Sequence, residues 1–123
     1  MDTTLAAPLR TYITALNALD VDTLIAALSD DAMVNDVHRE FSGLNAIRAW
    51  LDREIIGEKV TMNVTRCRTH HALVIVDSEM DGDYNKDSLP DPLVLTHYFT
   101  LANGHIAQLI IIANQPTPSW AEP

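Results

Sequence analysis

The chain predicts an α+β domain, with three helices toward the N-terminus and a meandering antiparallel sheet after them. Three observations predict it. Apolar residues recur at intervals of three and four through Leu9, Tyr12, Ile13, Leu16 and Leu19, the spacing that lines one face of a helix. From Val60 onward the pattern changes to strands: Val60 to Arg68 alternates, Leu73 to Val76 is an apolar run, Leu93 to Leu101 alternates imperfectly, and Ile106 to Ala113 is a second apolar run. Asn103-Gly104 falls between the last two, a strong signal for a tight hairpin turn.

Pro8 stands near the start of the first helix, where its missing amide hydrogen removes no bond. Tyr12 lies on that helix's core face, so it is either a paired core tyrosine or a donor inside a cavity. Asp20 or Asp22 caps a second helix with Leu24, Ile25 and Leu28 on its apolar face, and Ser29-Asp30-Asp31 breaks it. An extended segment from Met33 to His38 then places Val34, Asp36 and His38 on one side and Met33, Asn35 and Val37 on the other.

Arg39 to Gly43 reads as a turn into the third helix, with Ser42 as its cap. That helix carries Leu44, Ile47, Trp50, Leu51 and Ile55 on its stripe, with Arg48, Asp52, Arg53 and Glu54 off it and Gly57 as a stop. Trp50 is core or a cavity wall. The polar stretch from Asp81 to Pro92 reads as a long turn whose four aspartates do not match a calcium loop, and Asp83 and Tyr84 within it can line a cavity mouth.

The 123 residues suit one domain spanning 1–123, with a frayed start over about 1–6 and a proline-rich tail over 116–123 that holds Trp120. Seventeen acidic residues against eight basic ones give a net charge of −9, and no Lys or Arg cluster offers a track for phosphates. Nucleic acid and anionic membranes are therefore excluded as partners. The N-terminus shows no leader pattern and no apolar run is long enough to span a bilayer, which reads as a cytoplasmic protein.

Cys67 is a lone cysteine between Arg66 and Arg68, placed by alternation on the face opposite Val60, Met62 and Val64. Asp36 and His38 form an Asp-x-His pair, yet no third ligand is spaced to complete a metal site. His70, His71 and His105 read as solvated. Neither a metal nor another cofactor is expected.

The run from Tyr12 to Asp36, with its YxxALNxxDxDxLxxxLxDDAxVxD pattern, resembles ketosteroid isomerase and the wider SnoaL-like branch of the nuclear-transport-factor-two-like superfamily. FSGLNAIRAWLDREIIG and DPLVLTHYFTLANGHIAQLIII look like the third helix and the last two strands of the same fold. The resemblance implies a cone-shaped α+β barrel in which three helices pack on a curved, mostly antiparallel sheet and enclose an apolar cavity. It also implies a homodimer formed through the outer face of the sheet, which the Ile106 to Ala113 strand suits.

In the resembled isomerases an aspartate moves a proton between substrate carbons while a tyrosine and a protonated acid hold the enolate oxygen. Carried over, the resemblance implies Asp36 as general base and Tyr12 as oxyanion donor. The acid's position falls on His97 or, in a register longer by one residue, on Thr96; His97 keeps Phe99 and Leu101 on the family's aromatic face. An apolar cavity would tune Asp36 by desolvation. His38, Trp50, Tyr84 and Phe99 are the expected ligand-binding residues.

The acid–base aspartate of the SnoaL-like cyclases lies on the final strand, where this chain has Gln108-Leu109-Ile110-Ile111-Ile112 and no acid. A dehydratase would use Asp36 or His97 as base, with Tyr12, Tyr84 and Tyr98 as the available phenols. Two classes of function follow. One is a cofactor-independent isomerase, cyclase or dehydratase acting on a small apolar carbonyl compound; the other is a binding or assembly protein that uses the same cone without turnover.

Overall fold

The computed structural model describes residues 5–113. The expected tail over 116–123, Trp120 included, lies outside the described residues. Helix α1 (Ala7–Asn17) opens with Pro8 in its first turn and buries Leu9, Tyr12, Ala15 and Leu16. Helix α2 (Val21–Ala26) is capped by Asp20, whose carboxylate accepts from the Thr23 amide at 3.2 Å. This is the ordinary repair for a first-turn N–H with no helical partner.

The chain then enters strand β1 (Leu28–Asp36), earlier than its polar composition suggested. The strand buries Leu28, Ala32 and Val34 and leaves Asp30 and Asp31 exposed, so Ser29, Asp30 and Asp31 sit in the strand rather than at a helix end. The segment expected as a turn is strand β2 (Arg39–Ser42), antiparallel to β1 with Asp36 opposite Arg39. Val37 and His38 join the two strands at φ 47° and 73°. Two positive φ values are what a two-residue turn matched to strand twist requires, but neither residue belongs to the Asn-Gly vocabulary that signals it.

Helix α3 (Leu44–Trp50) has Gly43 at its N-cap rather than Ser42, which instead donates to Glu40 within β2. Its last turns widen into a π-helix (Leu51–Ile56), closed by Gly57 N–H donating to Asp52 O, five residues back. Strands β3 (Thr61–His70), β4 (Leu73–Asp81), β5 (Leu93–Ala102) and β6 (His105–Ala113) complete the sheet, in the order β2-β1-β6-β5-β4-β3. All neighbours are antiparallel except β1 and β6, which run parallel. The sheet curves without closing, with β2 and β3 at its edges.

Paired residues in a sheet share a face, so the register defines an inner row of Arg39, Asp36, Ile111, His97, Val76 and Cys67. A neighbouring row holds Phe41, Val34, Leu109, Phe99 and Val74. The helices cover this face with Leu9, Tyr12, Leu16, Ile47, Trp50 and Leu51, all nearly or wholly buried. Asn17 ties α1 to β3 by donating to Met62 O at 2.9 Å and accepting from Met62 N–H at 2.7 Å.

A bulge in β3 between Val64 and Arg66 corrects the reading of Cys67. The extra residue reverses the alternation, so Cys67 shares the inner face with Val64, while Arg66 and Arg68 turn outward opposite Asp77 and Ile75. Cys67 is nonetheless exposed, near the sheet's open edge. No helix among the described residues is long and apolar enough to cross a membrane.

Candidate active site

Between α1, the π-helix and the inner face of the sheet lies a cavity of about 270 Å³. Tyr12, Asp36, Trp50, Tyr84 and His97 all line it, together with Leu16, Val60, Met80, Leu95 and Ile111. Each polar group arrives from a different element. The helical stripe of α1 aims Tyr12 inward, the alternation of β1 and β5 aims Asp36 and His97, and α3 supplies Trp50.

Asp36 is anchored through one oxygen. Its Oδ2 accepts from the Trp50 indole N–H at 3.0 Å and from the Arg39 guanidinium at 2.7 Å. Arg39 also donates to both carboxylate oxygens of Glu54, at 2.7 and 2.9 Å. The surroundings of Asp36 are therefore not purely apolar, contrary to the expectation from its strand position. Its Oδ1 carries no hydrogen bond from a described residue.

Tyr12 is buried and meets Phe99 edge-on, with ring centroids 5.3 Å apart. Burial raises the pKa of its phenol well above the ordinary value, and the charge of Asp36 raises it further, so the group stays protonated and able to donate. Its hydroxyl has no hydrogen-bond partner among the described residues. His97 is also buried, stacks against Phe99, and leaves Nδ1 without a partner. Desolvation pushes its pKa down from 6.5 to about 4, against the smaller opposing effects of nearby backbone groups and Asp77. At neutral pH it is an uncharged imidazole with one N–H.

The alternation of β5 separates the alternatives at the second donor position. Thr96 faces outward and donates to Asp77 Oδ1 at 2.7 Å, whereas His97 faces the cavity. Tyr98 also lies on the outer face, paired in register with Ile75 and Ile110, which removes it from the available phenols.

Two expected ligand-binding residues lie elsewhere. His38 is exposed in the β1–β2 turn, where its positive φ interrupts the alternation that would have kept it beside Asp36; it borders a separate groove with Asn35 and Val37. Phe99 is wholly buried one row below the cavity, as packing beneath Tyr12 and His97. Asp83 does not line the cavity, but its N–H donates to Glu58 O at 2.6 Å and fixes the start of the loop that carries Tyr84.

Glu54, Glu58 and Arg39 escaped the sequence reading. A regular helix would leave Glu54 off the apolar stripe, but the wider π turn brings both Glu54 and Ile55 to the cavity beside Trp50. Arg39, three residues after Asp36, would have been found only by reading the intervening pair as a hairpin turn. Among the described residues, no group of three His, Cys, Asp or Glu side chains is arranged to hold a metal ion.

The SnoaL-like domain family matches residues 9–109. No curated protein matches the chain. Among solved structures, the chain is similar to a protein of Sinorhizobium meliloti described as a candidate polyketide cyclase, at 24% identity and a TM-score of 0.79 over 88% of this chain and 95% of that one. It is also similar to a candidate ketosteroid isomerase from Kribbella flavida, at 15% identity and a TM-score of 0.72 over 94% and 84% of the two chains. A nuclear-transport-factor-two-like protein of unknown function from Cytophaga hutchinsonii matches at 13% identity and a TM-score of 0.72, over 92% and 95%. At these identities the structures speak for the fold alone, and it is the same cone-shaped α+β fold.

Proposed function

Because the chain belongs to the SnoaL-like domain family, we propose that it is a cofactor-independent enzyme that moves a proton beside the carbonyl of a small apolar compound, as an isomerase, cyclase or dehydratase. One observation carries the reading: Asp36, Tyr12 and His97, from three separate elements, line one cavity.

In this reading Asp36 Oδ1, the oxygen left open by Trp50 and Arg39, takes a proton from the carbon next to the carbonyl. The electron pair of that C–H bond moves onto the carbonyl oxygen. The Tyr12 hydroxyl and the His97 N–H hold the resulting enolate, two donors set in a site that needs no reorganisation as charge develops. Return of the proton from Asp36 to a different carbon completes an isomerisation. In a dehydration the enolate pair instead forms the new C=C bond as the β C–O bond breaks, and the Asp36 carboxyl gives its proton to the departing hydroxyl, which leaves as water.

The test is proton–deuterium exchange from a cyclic ketone bound in the cavity. Asp36→Asn should abolish exchange while leaving ketone binding nearly intact. Loss of binding and exchange together would assign Asp36 a structural role. A non-catalytic binding protein of the same fold is the second reading, favoured by one observation: Arg39 already bridges Asp36 and Glu54, which also serves to hold the cavity wall closed.

The chain is further proposed to pair with a second copy through the outer face of the sheet. Ile112 is 47% exposed there, and Tyr98 and Ile110 are only partly covered. A monomer in light scattering at micromolar concentration would refute the pairing.

A further inference from the structure

We infer that the cavity prefers a small ring ketone whose outer end is positively charged, accepts a neutral one and rejects an anion, and that Glu58 sets this preference; the inference rests on reading the cavity as a carbonyl site. Size comes first. Ligand pockets for drug-sized molecules span about 300–1,000 Å³, and this one is about 270 Å³. That is room for one or two rings rather than four.

Charge decides the rest. Asp36, Glu54 and Glu58 line the cavity, and no Lys or Arg does. Arg39 bridges Asp36 and Glu54, and Arg53 lies 3.9 Å from Glu54, so both of those carboxylates are already met by cations. Glu58 is partly buried, and its side chain has no hydrogen bond or ion pair among the described residues. Lys86 lies over the Tyr84 ring at 5.5 Å and is bound to Asp81 at 2.7 Å.

A partly buried carboxylate without a partner of its own attracts a ligand cation. Tyr84 on the same wall already takes a cation against its ring, with Lys86 Nζ 5.5 Å from the centroid. The opposite demand comes from within. His97 Nδ1 is buried without a partner, so the site already calls for a polar atom on the ligand. The ligand is thus polarised, with an oxygen at the Tyr12 and His97 end and a neutral or positive group toward Glu58.

Three matched probes test this: 4-(aminomethyl)acetophenone as cation, acetophenone as neutral, and 4-acetylbenzoate as anion. Their affinities for the full chain are measured by ligand-observed NMR titration. The cation should bind about two- to fivefold tighter than the neutral ketone and the anion weaker by a similar factor, the range for a partly exposed ion pair after solvent screening. Glu58→Gln should bring the cation and neutral affinities together, so that their ratio falls to about one.

Raising the salt from low to near-molar concentration should shrink the wild-type cation preference, which gives a readout independent of the variant. An anion that binds as tightly as the neutral ketone, or a cation preference untouched by both Glu58→Gln and salt, overturns the inference. Charge preference without Asp36-dependent exchange would sink the proposed chemistry and leave this inference standing. Exchange without charge preference would do the reverse, and failure of all three probes to bind removes both.

Discussion

The Trp50 indole N–H donates to Asp36 Oδ2 at 3.0 Å, across fourteen residues of sequence and between a helix and a strand. Arg39 approaches the same oxygen from the adjacent strand. The carboxylate is thereby fixed in rotation through Oδ2, with Oδ1 free of hydrogen bonds from described residues, which a lone aspartate on a strand would not achieve. Each group that touches Asp36 has a measurable consequence.

Trp50→Phe keeps an aromatic ring against Phe41, on which Trp50 stacks with centroids 5.9 Å apart, but removes the indole donor. A hydrogen bond to a charged group contributes about 1.5–3 kcal/mol, so urea denaturation should show a loss of about that size. Exchange activity should fall further than ketone binding, because the base loses its orientation. A variant as stable and as active as the wild type would show that the bond fixes nothing.

Tyr12→Phe deletes a hydroxyl that has no described partner and leaves the edge contact with Phe99 in place. Stability should change by less than about 1 kcal/mol, while exchange drops by about 10²–10³, the range for losing one oxyanion donor. Unfolding midpoints and single-turnover exchange rates separate the two effects. Equal losses in both would place Tyr12 in the core only.

His97 makes stability depend on pH with a definite sign. Its folded pKa, pushed down to about 4 by burial, lies below the ordinary 6.5. Between these values the unfolded chain binds a proton that the folded one refuses, so the stabilisation is complete above about pH 6.5 and is lost as pH falls toward 4. Linkage puts the loss between pH 7 and pH 5 at about 2 kcal/mol. His97→Gln should lack that part of the slope in urea titrations at the two pH values, and an identical slope would exclude His97 as its source.

The β1–β2 turn holds a β-branched residue, Val37, at φ 47° and His38 at 73°. Such backbone costs about 1–3 kcal/mol per residue. Replacing the pair with Val37→Asn and His38→Gly should raise the unfolding free energy by about 1–2 kcal/mol. Ketone affinity should stay unchanged, since His38 is outside the cavity; weakened binding would return His38 to the site.

Legibility in the sequence followed the range of the interactions. The core face of α1, a cap at Asp20 or Asp22, the long loop before β5 and the Asn103-Gly104 hairpin were readable, because each depends on residues within a turn or two of one another. Asp36 and Tyr12 came from a resemblance to a family, which the match over residues 9–109 bears out as a family and which leaves their roles to experiment. The phase of Cys67 was not readable, since a bulge is decided by the partner strand. Nor was β2, because its turn uses Val37-His38.

By itself the sequence determined the fold class, the order of its helices and of the four strands after them, and the buried faces of α1 and α3, since periodicity records which face leaves water. Only the tertiary structure decided that Asp36 is held by Trp50 and Arg39, that a π turn delivers Glu54, and that Glu58 stands unpaired at the cavity. Those facts depend on which segments meet across the sheet. Local spacing carries no record of such meetings.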